Sequence, residues 1–227
     1  MTPPRPATST LAARVRALLD RRDPVLRLLG EGRDLARVVA ELETSAEHSF
    51  WRMADRHVPS IARVMREVPR PPRLRALQER VVFSATHAHE SPLLTSFEPG
   101  CLVGPVHQRL TLVDGRCLVV PGQDGAAVVG SAYGTDDPAL VALAHAAFEE
   151  AWVTAVPWRE AGLRPPLPLR RFRMALLLLE GHSDQEIADE LGVGPRTVSR
   201  EVREVVAWLG ARNRSHAVAL LVGAGAP

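Results

Sequence analysis

Residues Ser183 to Val202 read SDQEIADELGVGPRTVSREV, two helical patterns on either side of a glycine-bearing turn. Ser183, Asp184, Gln185 and Glu186 make an S-x-x-E capping box. The serine hydroxyl accepts from the Glu186 N–H while the glutamate reaches back to the Ser183 N–H, so a helix begins there. Ile187, Ala188 and Leu191 form its inward face, and Gly192 ends it. Gly194 and Pro195 suit the N-cap and first position of a second helix, whose buried stripe is Val198, Val202, Val205 and Leu209. A small residue at Ala188 lets the two helices cross closely, which predicts a helix-turn-helix.

With the valines inward, helical geometry places Arg196, Ser199, Arg200 and Arg203 on an outward face. Thr197 stands at the helix N-terminus, where a hydroxyl and free N–H groups can hold a phosphate. Arginine pairs with phosphate or reads guanine O6 and N7, so this face offers both positioning and base readout. Glu201 and Glu204 are interleaved with these arginines, and periodicity alone fits a charge-striped solvated helix equally well. Every basic side chain apart from histidine is arginine and lysine is absent. That bias fits a GC-rich bacterial coding sequence and weakens any argument from the choice of arginine.

The wider segment LPLRRFRMALLLLEGHSDQEIADELGVGPRTVSREVREVVAWLGARNRSHAVALL resembles the LuxR type (NarL/FixJ or GerE type) DNA-binding domain from end to end. Leu167, Arg170, Gly181, Glu186, Ile187, Ala188, Leu191, Thr197, Val198, Val202, Leu209, Gly210, Arg212, Arg214 and Ala217 carry the resemblance. It implies four helices, a recognition helix from Pro195 to Leu209 in the major groove, and a dimer contact from the helix after Arg214. The DNA-binding residues it implies are Arg196, Thr197, Ser199, Arg200, Glu201 and Arg203. Two positions depart from the pattern: Arg171 replaces the usual glutamate of the first helix, and Glu201 stands where a polar or aromatic residue is common. A carboxylate at a base edge can accept from cytosine N4, so Glu201 is expected to tune base preference.

Upstream the patterns change. Residues 1–10 are rich in Pro, Thr and Ser and are expected to form a disordered tail. LAARVRALLD and DPVLRLLG read as short helices, and Leu35, Val39, Leu42, Ala46, Phe50 and Met53 mark one long helix from Asp34. This helix could also pair with a second subunit. VPRPPR then breaks helical structure. ERVVFSA, QRLTLV, RCLVVP and AAVVGSA read as strands, with Asp114-Gly115 as a hairpin turn. A helix follows from Asp137-Pro138, with Leu140, Ala144, Ala147, Phe148, Ala151 and Trp152 buried. EAGLRPPLP reads as a stiff linker.

This upstream part has neither the acidic cluster of a phosphoacceptor receiver nor a nucleotide-binding glycine loop. HQRLTLVD does place His107, Arg109 and Asp114 at the H-x-K-x4-D spacing, with Arg for Lys. In this, and in RLTLVDGRCLVVP and HAAFEEAWVTAVP, it resembles the degenerate phospholipase D-like effector domain of TrmB-like and actinobacterial LuxR-type regulators. The active enzymes of that class use two motif copies, and one is present here with Arg for Lys, which speaks against hydrolysis and leaves an ordinary strand histidine or a ligand contact by His107, Arg109 and Asp114. His87, His89 and Glu90 in THAHES offer too few ligands for zinc and are read as surface-loop residues.

A chain of 227 residues with 46% hydrophobic and 24% charged residues is an ordinary globular protein, long enough for two cores. A net charge of +2 does not by itself indicate a nucleic-acid partner. Cys101 and Cys117 lack disulfide-framework or zinc spacing and read as reduced thiols. No apolar run approaches the roughly 20 residues of a membrane span, and the N-terminus lacks a signal-peptide core, so a cytoplasmic, nucleoid-associated location is expected. The expected fold is multidomain: an N-terminal α/β domain preceded by a long helix, then an all-α four-helix domain. The expected division is an effector and dimerisation domain at 11–158, a linker at 159–166 and the helix-turn-helix domain at 167–227. Expected partners are double-stranded DNA, a second copy of the chain, a small-molecule effector and RNA polymerase, with no cofactor. The alternative is a phosphodiesterase-like enzyme with a DNA-binding tail.

Overall fold

The computed structural model describes residues 6–55, 77–122 and 130–223, in two compact units. The fold class is the expected one, a mixed-sheet unit with helices and a helical unit. The first unit contains the residues up to Ala85 together with Leu102–Val156; the second contains Thr86–Cys101 and the residues from Pro157 onward.

The first unit opens on α1 (Ala7–Asp20), so residues 7–10 are helical rather than a disordered tail. The reason is a distant cap. Glu150 accepts from the backbone N–H groups of Ala7 and Thr8 at 2.8 and 3.2 Å, and from the Thr8 hydroxyl at 3.3 Å. A carboxylate thus satisfies N–H donors that have no intrahelical partner. Leu11, Val15 and Leu18 form the buried face of α1.

β1 (Arg27–Glu31) replaces the second expected helix. Asp23 there accepts from the Val25 N–H at 3.1 Å, a local turn that competes with helix initiation. α2 (Leu35–Ser45) follows, and the long helix expected from Asp34 stops there: Ser49–Ala54 is β2. The side chain of Val39 lies outside the description, as do VPRPPR and the first four residues of AAVVGSA. The chain continues through β3 (Gln78–Phe83), α3 (Ala85–Glu90), α4 (Leu94–Phe97), β4 (Leu102–Val103), β5 (Leu110–Val113), β6 (Cys117–Pro121), β7 (Ser131–Thr135), α5 (Pro138–Thr154) and β8 (Val156–Pro157). The strands join in the order β1-β7-β6-β5-β2-β3-β4-β8. β2, β3 and β4 are mutually parallel, and the ladder from β2 through β5, β6 and β7 to β1 is antiparallel.

Asp114 and Gly115 make the expected turn, both at positive φ (51° and 63°), closed by the Arg116 N–H on the Val113 carbonyl at 3.0 Å. α5 begins as expected, with Asp137 accepting from the Leu140 N–H at 2.9 Å and proline next. Leu140, Ala144, Ala147, Phe148 and Ala151 are buried, and Trp152 is half-buried. With Leu11 and Val15 of α1 and Met53, Val82, Leu110, Leu112 and Leu118 of the sheet they form the main core.

The second unit contains α6 (Leu169–Leu179), α7 (Asp184–Leu191), α8 (Pro195–Leu209) and α9 (Arg214–Leu221), the four expected helices. Met174, Leu177, Leu178, Ile187, Val198, Val205, Leu209 and Ala217 are buried in it, each at most 1% exposed. Two features depart from the expected division. Residues 159–166 pack as part of this unit, and α3–α4, supplied from between β3 and β4, belongs to it as well. His87 accordingly lies on α3, 2% exposed with Ser91 Oγ 3.2 Å from its Nδ1, and is no surface-loop residue.

The Ala7 N–H, more than any other group, holds the Glu150 pKa below the ordinary carboxylate value. A depressed pKa means that Glu150 stabilises the fold above the ordinary carboxylate range and loses that contribution on acidification. Glu150→Ala is expected to cost about 1 kcal/mol, the scale of an N-cap, measured by urea unfolding at neutral pH, with faster proteolysis confined to α1. Parent-like stability and an equally protected α1 would contradict the cap.

Candidate functional site

The capping box forms as read: Ser183 Oγ accepts from the Glu186 N–H at 3.3 Å, and Glu186 Oε2 accepts from the Ser183 N–H at 2.7 Å. Gly192 and Gly210 end α7 and α8 in the left-handed conformation, at φ 62° and 67°. Asp184 ties three helices together, because its carboxylate accepts from Ser199 Oγ of α8 at 3.3 Å and pairs with Arg214 of α9. Arg214 also donates to the His182 carbonyl.

On α8, Arg196, Ser199, Arg200 and Arg203 are exposed together on one face, and Thr197 is half-buried at the helix start. Arg203 Nε donates to the Ser199 carbonyl at 3.1 Å, one turn back. The surface offers three guanidinium groups in a row, the donors that pair with phosphates and guanine edges, while the Ser199 hydroxyl is given to Asp184.

Glu201 is not on that face. It is 3% exposed, and its carboxylate accepts from Arg171 Nε at 2.7 Å, Arg170 Nη2 at 2.8 Å and Arg200 Nη2 at 3.3 Å. The expectation that it reads bases is corrected: the carboxylate joins α8 to α6. The two departures from the LuxR-type pattern, Arg171 and Glu201, therefore meet in one ion pair. Arg171 above all, with Arg170 and Arg200 and against the opposing effect of burial, pulls the Glu201 pKa down to about 2. The helical period carried a signal: Glu201 stands three residues after Val198 and four before Val205, beside the buried stripe. A second signal was the opposite charge of the two departures, Arg171 and Glu201.

In the first unit, His107, Gln108 and Arg109 line a polar cleft of about 510 Å³ with Asp55, and with Arg16 and Asp20 of α1. Arg109 Nε lies 3.2 Å from Asp55 Oδ1. Asp114 is absent from this cleft. Its carboxylate accepts from the backbone N–H groups of Glu47, His48 and Ser49 at 3.2, 2.7 and 2.9 Å. Burial raises the Asp114 pKa, but these bonds outweigh it and the net shift is downward. The expected trio is thus divided between a cleft (His107, Arg109) and a backbone anchor (Asp114).

Residues 165–211 match the Homeodomain-like domain family. The C-terminal unit contains a helix-turn-helix DNA-binding domain. No curated protein sequence matches the chain. Similar solved structures include NucT from Helicobacter pylori (13% identity, TM-score 0.45, covering 58% of this chain and 96% of that one). The archaeal chromatin protein TrmBL2 is similar at 14% identity and TM-score 0.40, covering 65% of each chain. VqmA of Vibrio cholerae in complex with ligand and DNA is similar at 22% identity and TM-score 0.26, covering 52% of this chain and 50% of that one. All three TM-scores lie below the level at which a shared fold is argued from superposition, and the helix-turn-helix assignment rests on the family match and the geometry above.

Arg171→Glu would set two carboxylates against each other and is expected to destabilise the unit. Adding Glu201→Arg should recover only part of that loss in a double-mutant cycle by chemical unfolding, because Arg170 and Arg200 also face position 201. Additive losses would show that the pair does not interact. Because Glu201 is depressed from 4.5 to about 2, its contribution is full above the higher value and disappears as the pH falls through the lower one.

Proposed function

We propose that this chain is a sequence-specific transcriptional regulator of LuxR type, binding DNA as a homodimer and responding to a small-molecule effector through its N-terminal unit. The observation that carries the proposal is the exposed row Arg196, Ser199, Arg200 and Arg203 on the second helix of a helix-turn-helix. Arg196 and Thr197 at the helix start suit phosphates, and Arg200 and Arg203, further along, reach base edges. Glu201 takes no part in the contact; it braces α8 against α6.

The effector site in this reading is the cleft at His107 and Arg109, where a guanidinium, an imidazole and carboxylates offer donors and acceptors to a polar ligand. Turnover is not part of the reading. Phosphodiester hydrolysis by this motif needs a nucleophile and a positioned acid from two copies. The sequence has one copy, and its Asp114 is committed to the backbone of residues 47–49.

Arg200→Ala or Arg203→Ala is expected to weaken duplex binding by about 1–3 kcal/mol at a single base pair for a base contact. For a phosphate contact the loss would be uniform across sequences, with the salt slope reduced by about 1. Affinities equal to the parent's for both variants would remove α8 from the groove. Incubation with bis(4-nitrophenyl) phosphate should give the rate of the blank. Multiple turnovers that vanish in His107→Ala would favour an enzyme instead.

A further inference from the structure

The last turn of α8 is closed from two sources, both within the second unit. The Gly210 and Ala211 N–H groups donate to the Ala207 and Val206 carbonyls at 3.0 and 2.9 Å, the turn-back that a left-handed glycine permits. The Trp208 and Leu209 carbonyls that follow have no donor within the helix and lie at the negative end of its dipole. Arg164 takes both. Its Nε donates to the Trp208 carbonyl at 3.1 Å and its Nη2 to the Leu209 carbonyl at 2.9 Å. Trp208 Nε1 answers by donating to the Pro165 carbonyl at 3.1 Å, and the Arg164 guanidinium carbon lies 5.9 Å from the centroid of the Trp208 ring. One arginine from a proline-rich stretch thus fixes the end of the helix that carries the outward row.

Arg164 is itself held by residues distant in sequence. Thr95 of α4, 1% exposed, donates its hydroxyl to the Arg164 carbonyl at 2.8 Å. Its neighbour Ser96 accepts at Oγ from the Leu167 N–H at 2.9 Å. Trp158 Nε1 donates to the Pro99 carbonyl at 3.0 Å, and Phe97 meets the Phe172 ring edge-on, with centroids 4.7 Å apart. α4 therefore grips the chain on both sides of Arg164. A helix as short as Leu94–Phe97 does not hold itself together; these contacts hold it, and in return it sets the Arg164 backbone.

α8 is braced at three places along its length. Ser199 donates to Asp184 of α7 near its start, Glu201 pairs with Arg170 and Arg171 of α6 in its middle, and Arg164 holds its last turn. The first two braces come from the helices of the C-terminal pattern, whereas the third comes from outside it. Without Arg164 the helix can tilt about the Glu201 bonds, which lie about 12 Å along the axis from Leu209. A displacement of the last turn then moves Arg196, on the far side of that pivot, in the opposite direction. We propose that Thr95 and Arg164 are positioning residues for DNA reading, so that the structure which presents the α8 arginines includes residues 86–101 as well as the four helices. The inference rests on the regulator reading above. Thr95 is buried and reaches no DNA; its route to α8 is the Arg164 backbone.

The test uses the full chain and two duplexes, one selected by the parent from a randomised library and the other a scrambled sequence of the same composition. Thr95→Val keeps the side-chain shape and the charge and removes the hydroxyl donor, and Arg164→Lys keeps the charge and loses the two-pronged bond. Each should weaken binding to the selected duplex by about fivefold, the scale of one hydrogen bond. Each should leave low-salt binding to the scrambled duplex at the parent level, because that binding follows charge, and should raise backbone hydrogen exchange in the last turn of α8. Thr95→Ser restores the donor and should return all three readouts to the parent's. A loss shared equally by both duplexes would mark plain destabilisation, and parent-like discrimination in Thr95→Val and Arg164→Lys would show that the arginines are presented without this brace; either result overturns the proposal. If the parent selects no duplex, the regulator reading falls, and the exchange comparison decides the brace: raised exchange in α8 of Thr95→Val supports it and parent-level exchange overturns it.

Discussion

A carboxylate on the inward side of α8 is costly unless guanidinium groups surround it, and the C-terminal unit is arranged around that requirement. Desolvation of Glu201 is offset by Arg171 and Arg170 from α6 and by Arg200 from its own helix. The same bonds set the angle and register of α8 on α6, because both side chains of the strongest pair project from rigid helices. Arg200 reaches solvent with one edge held by Glu201, so an arginine of the outward row is also oriented from within. The fold of this unit and the presentation of its arginines are one arrangement.

Features that depend on neighbours in sequence were legible. The Ser183 capping box, the Asp137-Pro138 helix start, the Asp114-Gly115 turn and the stops at Gly192 and Gly210 each follow from local backbone chemistry, and each is present. The valine stripe of α8 and its outward arginines follow from helical period. What failed was the reading of residues 46–54, where Ala46, Phe50 and Met53 fit a period of 3.6. The reason lies elsewhere in the chain: Asp114 takes the N–H groups of Glu47, His48 and Ser49, which a continuing helix would need, and the segment runs on as β2 beside β5. The residue first read as part of a ligand trio is the one that ends the helix.

The remaining misreadings share that cause. Residues 7–10 form a helix because Glu150 caps them from α5, and residues 159–166, rich in proline, look like a linker while Arg164 binds both α4 and α8. Glu201 was grouped with the outward arginines by its charge, although its spacing from Val198 and Val205 sets it beside the buried stripe, where its partners come from a different helix. Each is a charged or polar side chain serving a backbone or partner distant in sequence, which period and propensity do not register. Arg171 with Glu201 was the exception in principle, since two departures of opposite charge from one pattern point at each other.

The central proposal is that the α8 arginines read a specific sequence as part of a dimer. Selection of bound duplexes by the full chain from a randomised library tests it most directly. A single enriched motif, an inverted or direct repeat with half-sites about one helical turn apart, is the predicted result. Recovery of duplexes no different from the starting library, at salt low enough for non-specific binding to be detected, would contradict it.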